Sequence, residues 1–324
     1  MLFSRFITQT FRKAINEAKK FVQEYDAALT QIQMITLKSD SEMNKLGEGM
    51  LDKAFELKAS ISDIATITSD LYRQGLSDKE VEQRTDAIVK FSKVTGMKGD
   101  AASKIVTTSM ETGLASMPTD VTDVLTILGD SVSTTAADIA KGFQKSASAA
   151  NEYGLDLGQL ATMLAIITSK TQLGGSNAGS TIQQLLYRLN KINSSEIFID
   201  EEGNQVARTT ASKAFANAGL SLFDEETGSV KNAYTLLKEL GSVWEILKPI
   251  QQANILTALG TGRQQSNVSA LIQAFAEDNG EIINKYESLI GNANGIVDEK
   301  YAKYEESIAA GLNNIKNAFD ELVY

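Results

Sequence analysis

Arg73-Gln74-Gly75-Leu76-Ser77-Asp78-Lys79-Glu80-Val81 is the stretch that decides the fold. Gly75 can adopt the left-handed conformation that ends a helix, because it carries no Cβ. Ser77 and Glu80 have capping-box spacing, in which hydroxyl and carboxylate satisfy free amides at the start of the next helix. Leu76 and Val81 stand where a hydrophobic staple fixes the entry angle. The stretch therefore predicts helix, tight turn, helix. The arrangement returns at Gly154-Leu155-Asp156-Leu157-Gly158-Gln159, with Leu155 and Leu160 as the staple pair.

Outward from these junctions, apolar residues recur at three- and four-residue spacing. Val121, Val124, Leu125 and Leu128 form one stripe; Ile182, Leu185, Leu186, Leu189 and Ile192 form another. Each marks an amphipathic helix. Further breaks are expected at Gly96 to Asp100, at Gly113 to Thr119 around Pro118, and at Gly174 to Gly179, with a helix from Thr181 onward. The expected fold is mainly α: a compact bundle of short antiparallel helices. Two small hairpins interrupt it, one at Glu196 to Val206 around Gly203-Asn204 and one at Leu220 to Val230. Heptad-like stripes mark longer helices at both ends. Phe11, Ala14, Ala18, Phe21, Tyr25, Ala28, Ile32 and Ile35 form the first; Tyr301, Tyr304, Ile308, Gly311, Ile315, Ala318 and Leu322 form the second. Either stripe packs on the central domain, or its helix continues beyond the given chain or pairs with copies of itself. The domain reading is an N-terminal amphipathic helix at 1–40, a helical core at 41–275, and a C-terminal helix at 276–324 with no stop signal, expected to continue further.

The 324 residues hold 31 Lys plus Arg against 41 Asp plus Glu, a formal charge of -10. That sign argues against binding a phosphate backbone through bulk charge. With no His and no Cys, His- or Cys-based nucleophiles, His or Cys zinc sites, thiol redox and disulfides are excluded. Hydrophobic residues make up 43% and mean hydropathy is -0.14, enough for a core. The most apolar window, Leu157 to Ser169, is about half the length that a bilayer needs.

Acidic clusters at Asp200-Glu201-Glu202, Asp224-Glu225-Glu226 and Glu305-Glu306 read as solvated surface. Only 7% of the residues are aromatic, few for a sugar-binding cleft. Gly260-Thr261-Gly262-Arg263-Gln264-Gln265 lacks the lysine and hydroxyl of a phosphate-binding loop and reads as a helix–helix turn. No catalytic, cofactor or metal residues emerge.

The order of the motifs resembles the conserved region of phage tail tape measure proteins. Tyr25 to Leu29 with Ile32 to Thr36 looks like its opening, and Arg73-Gln74-Gly75-Leu76-Ser77 is similar to its central turn. Ala147 to Ala165 with Gly154, then Gly179, Leu185 and Arg188-Leu189, resemble the blocks that follow. Asn217 to Leu220 leading to Leu236 to Leu240, then Ala258 to Gln264 with Gly260, Arg263 and Gln264, then Lys316 to Leu322, complete the order.

The resemblance spans Tyr25 to Leu322. It implies a non-enzymatic virion protein, in the tail tube lumen or at its tip, and in the host cytoplasm during assembly. Such proteins set tail length and leave ahead of the genome. Implied partners are further copies of the chain (a trimer is compatible), tail tube and tip or baseplate proteins, and tail assembly chaperones. It also implies host membrane contact on ejection and no specific nucleic acid. Two other readings stand beside it: a peptidoglycan-degrading domain using Glu201 and Glu225, and a protein whose amphipathic helices enter a membrane.

Overall fold

The computed structural model describes residues 2–195, 197–199, 205–207, 210–224, 231–260, 262 and 264–323, and it is mainly helical. The chain divides into two compact units. Residues 1–106 join 297–324 in the first, and 107–296 form the second. This division does not follow the sequence boundaries at 40 and 275, because the C-terminal segment returns to the N-terminal helices.

The first unit begins with α1 (Leu2–Thr36), α2 (Asp40–Glu56), α3 (Ile61–Arg73) and α4 (Asp78–Thr95); α5 (Gly99–Glu111) crosses into the second. Helix α3 is central, packing on α1, α2 and α4. It buries Ile61, Ile64, Ala65, Ile67 and Leu71, a face far wider than a surface helix presents. The α1 stripe buries Phe21, Tyr25 and Ile32, while Ile35 is exposed. The Tyr25 hydroxyl donates to Gly47 O at 2.8 Å. A Cβ on Gly47 would stand 3.0 Å from that hydroxyl, so the glycine permits the contact.

The deciding junction folds as expected. Gly75 has φ 83°, and Ser77 N donates to Glu80 Oε2 at 2.9 Å. Ser39 and Glu42 make the same box at the start of α2, with Ser39 N donating to Glu42 Oε2 at 2.8 Å.

The second unit comprises α6 (Pro118–Ser131), α7 (Ala136–Glu152), α8 (Leu157–Thr171), α9 (Gly175–Ser195), the strands β1 (Ile197–Ile199) and β2 (Gln205–Ala207), α10 (Thr210–Asn217), α11 (Ala233–Val243), α12 (Pro249–Leu259), α13 (Gln265–Ala276) and α14 (Glu281–Gly291). Every residue from Leu160 to Ile167 in α8 is buried. A helix apolar all round is a core element, and α8 packs on α6, α7, α9, α13 and α14. Asp156 caps it, accepting from Gln159 N at 2.7 Å.

β1 and β2 pair antiparallel, Phe198 opposite Val206. The turn around Gly203-Asn204 lies outside the described residues. At the second expected hairpin the described residues form no strand; Lys231 N donates to Leu222 O at 2.9 Å, and 225–230 lie outside them.

Two expectations need correction. The run Gly174 to Gly179 is not a turn that precedes a helix at Thr181. Only Gly174, at φ 79°, is left-handed, and α9 starts at Gly175. The C-terminal stripe is not one long helix either. It breaks into α15 (Ile296–Glu305) and α16 (Ile308–Val323). Among the described side chains of α16, the stripe residue Ile315 is 69% exposed and its neighbour Leu312 60%, while Asn317 and Asp320 are buried. Asn317 turns inward because it has hydrogen-bond acceptors to satisfy, as shown next.

Candidate functional site

Three arrangements involve residues that the sequence singles out. The first is the approach of α7 and α9, where glycines replace side chains. A Cβ on Gly179 would lie 2.4 Å from Gly142 O and 2.9 Å from Gly142 Cα; one on Gly175 would lie 1.6 Å from Asp138 O. A Cβ on Gly142 would meet Leu164 Cδ2 at 2.4 Å. Backbone lies against backbone, which only glycine allows.

The second is a helix cap delivered from another helix. Arg188, on α9, donates from Nη1 to Ala258 O at 3.1 Å and to Thr257 O at 3.5 Å. These carbonyls belong to the last turn of α12, where they find no N–H donors inside their own helix and attract cations. Arg188→Ala is expected to lower stability by about 1 kcal/mol. The readout is a lower urea midpoint at unchanged m-value, with Arg188→Lys recovering part of the loss.

The third joins residues some 250 positions apart. The last carbonyls of α2 and its following turn accept side-chain bonds from α15 and α16. Tyr301 donates to Leu57 O, and Tyr304 to Lys58 O at 3.2 Å. Asn313 also reaches Lys58 O, at 3.1 Å. Asn317 Nδ2 donates to Ala59 O at 2.7 Å and to Ala54 O at 3.2 Å. Lys58 itself is left-handed, at φ 43°, and its Nζ pairs with Glu305 at 3.7 Å. Sequence reasoning missed Asn313 and quoted Asn317 only within the closing family motif, because nothing near them names their acceptors.

The other motif residues have local roles. Arg73 pairs with Asp70 at 2.9 Å and donates to Gln31 Oε1 at 2.8 Å. Gln74 N closes α3 onto Leu71 O at 3.1 Å. Leu76 is half-buried beside the turn, and Gly154, at φ 75°, makes the second such turn. Gly260 N returns to Leu256 O at 2.9 Å, and Gln264 O opens α13 by accepting from Val268 N at 3.0 Å. Arg263 lies outside the described residues, as do Glu201 and Glu225. The described motif residues are spread over both units and do not converge on one pocket.

A groove of about 370 Å³ runs between α2 and α4 over α3. Leu46, Met50, Ile64 and Val81 floor it, and Lys38, Lys45, Glu42 and Glu82 are among its charged lining. Lys38 closes one end by pairing with Asp78 at 2.8 Å, and Tyr72 donates to Asp78 at 3.0 Å. The lysine's hydrogen bond holds the Asp78 carboxyl below its ordinary pKa. Burial, then Asp78, push the Tyr72 phenol upward, so neither residue titrates near neutrality. Arg84 is buried, with Nε and Nη1 unpartnered among the described residues, and does not line this groove. No group of three or more acidic residues among the described ones is placed to hold a metal.

A helical scaffold whose marked residues cap, turn and pack helices has the character of a structural component. The chain belongs to the phage-related minor tail protein family, whose pattern matches residues 40–260. It is thus a phage tail protein, with a structural place in the virion and contacts to other tail components. No solved structure matches it.

Proposed function

We propose that this tail protein is a tape measure protein, acting in tail length determination, tail assembly and genome ejection from the tail lumen or tip, without enzymatic activity. The observation that carries the reading is the use made of the motif residues. Gly75 and Gly154 make turns, Gly179 lets two helices touch, and Arg188 caps a third. Self-association and contacts with tail tube, tip or baseplate proteins and assembly chaperones belong to the same reading.

A helix rises about 1.5 Å per residue, so length is encoded only by extended helix. Between 75 and 260 the described residues form short helices and one pair of strands, and on this reading the measuring segment lies elsewhere in the protein. The test is a set of in-frame deletions inside 75–260, scored by electron microscopy of lysates. Missing tails are expected; tails shortened in proportion to the deletion would overturn this placement. A zymogram on purified protein tests the non-enzymatic part, and a clearing zone would refute it. The membrane reading gains no support from a spanning segment: no described helix is long and apolar enough to cross a bilayer.

A further inference from the structure

Among its described side chains, helix α16 turns asparagines inward and two large apolar residues outward. Its polar face is held down by Asn313 and Asn317, which leaves Leu312 and Ile315 standing out with Gly311 and Ala318 exposed around them. Leu312 and Ile315 are one turn apart and form a short ridge. The groove between α2 and α4 has the opposite shape. Its floor carries pairs one turn apart, apolar Leu46 with Met50 and Val81 with the hydroxyl-bearing Thr85, and no side chain among the described residues fills it. A cavity of about 150 Å³ is the size left by one large apolar side chain, so 370 Å³ accommodates two.

Charge matches as well as shape. Lys45 on the α2 wall and Glu82 on the α4 wall are exposed and form no ion pair among the described residues. Lys316 and Glu321, which are exposed on α16, likewise form none. Glu42, also exposed in the groove lining, forms no ion pair among the described residues either, so each surface offers charge of both signs. The ridge residues do not line the groove of their own chain, so the chain does not satisfy itself.

We infer that the α16 ridge of one copy seats in the α2–α4 groove of a second copy, a head-to-tail contact that repeats. A ridge and a groove at different places on one molecule make a heterologous interface, which closes into a ring or runs on as a filament. The inference rests on the self-association contained in the tape measure reading and supplies its surface.

The test is sedimentation velocity on the 324-residue chain at roughly 10 µM to 500 µM, the weak range expected of so small a contact. The wild-type coefficient is expected to rise across that range. Ile315→Lys destroys the ridge at an exposed position. Gly49→Leu fills the groove, since a Cβ at Gly49 meets nothing within 4 Å, and leucine in a helix is more stable than glycine. Both variants should remain monomeric, with thermal unfolding confirming that Gly49→Leu is at least as stable as wild type. An equimolar mixture of the two has one intact ridge and one intact groove, and should form dimers that grow no further. A wild type that stays monomeric, a variant that associates like wild type, or a mixture without dimers would each overturn the inference. The tail role, tested by the deletions, would still stand.

Discussion

Gly179→Ala is expected to destabilise the second unit by about 2–3 kcal/mol, although alanine is the better helix former. Propensity alone favours the change by about 1 kcal/mol in a helix interior. Against that, the new Cβ would stand 2.4 Å from Gly142 O, 2.8 Å from Lys145 Cβ and 2.9 Å from Gly142 Cα. Two of these neighbours are backbone and cannot rotate aside, so α7 and α9 must separate. Close-packed interiors transmit such a shift instead of absorbing it. Leu164, which meets Gly142 from α8, would lose contacts as well. At roughly 2–4 °C per kcal/mol for a domain of this size, the midpoint falls by about 5–10 °C in a calorimetric scan. Gly49→Ala is the control, with no atom within 4 Å of its Cβ; there the sign reverses, to a gain of about 0.5–1 kcal/mol. Equal signs at the two glycines would show that α7 and α9 are not in backbone contact.

This pair of glycines also shows where sequence reasoning stops. The junctions at Gly75 and Gly154 were legible because every group they need lies within six residues: a left-handed glycine, a cap, a staple. Gly175 and Gly179 use the same residue type for a different reason, the approach of a helix some 40 positions earlier, and local reading took them for a turn. The α8 core was legible as the most apolar window of the chain. Arg188 could be marked through its resemblance to a family motif, but its acceptors, Thr257 and Ala258, are unrelated to it in sequence. Helix α16 failed for the deepest reason. Hydrophobic spacing reports which face is apolar, and the inference that the apolar face is buried holds only when no polar demand outbids it. Here the unpaired carbonyls after α2 supply that demand.

Asn317 decides between the two readings of α16, and its substitution is expected to cost about 2 kcal/mol. The residue is fully buried. Its Nδ2 serves Ala59 O at 2.7 Å and Ala54 O at 3.2 Å. Ala54 O keeps a second donor, the backbone N of Ala59 at 3.1 Å. With Asn317→Ala, Ala59 O is then the acceptor left without its 2.7 Å bond in a buried setting, a penalty of about 1–3 kcal/mol, and a small cavity adds to it. Asn317→Leu is the sharper variant. It restores the volume, continues an apolar helix, and relieves Asn317 Oδ1, which is buried without a partner among the described residues. If the heptad governed packing, leucine here would stabilise the protein and Ile315→Lys would harm it. The hydrogen bonds require the reverse: Asn317→Leu loses stability, and Ile315→Lys, at a 69% exposed position, changes it by less than about 0.5 kcal/mol. Urea unfolding of both variants gives the two signs. Amide exchange at residues 57–61 then locates the loss, since that turn should open more readily once its donor is gone. A stable Asn317→Leu with unchanged exchange there would mean that α16 is held by its apolar face after all.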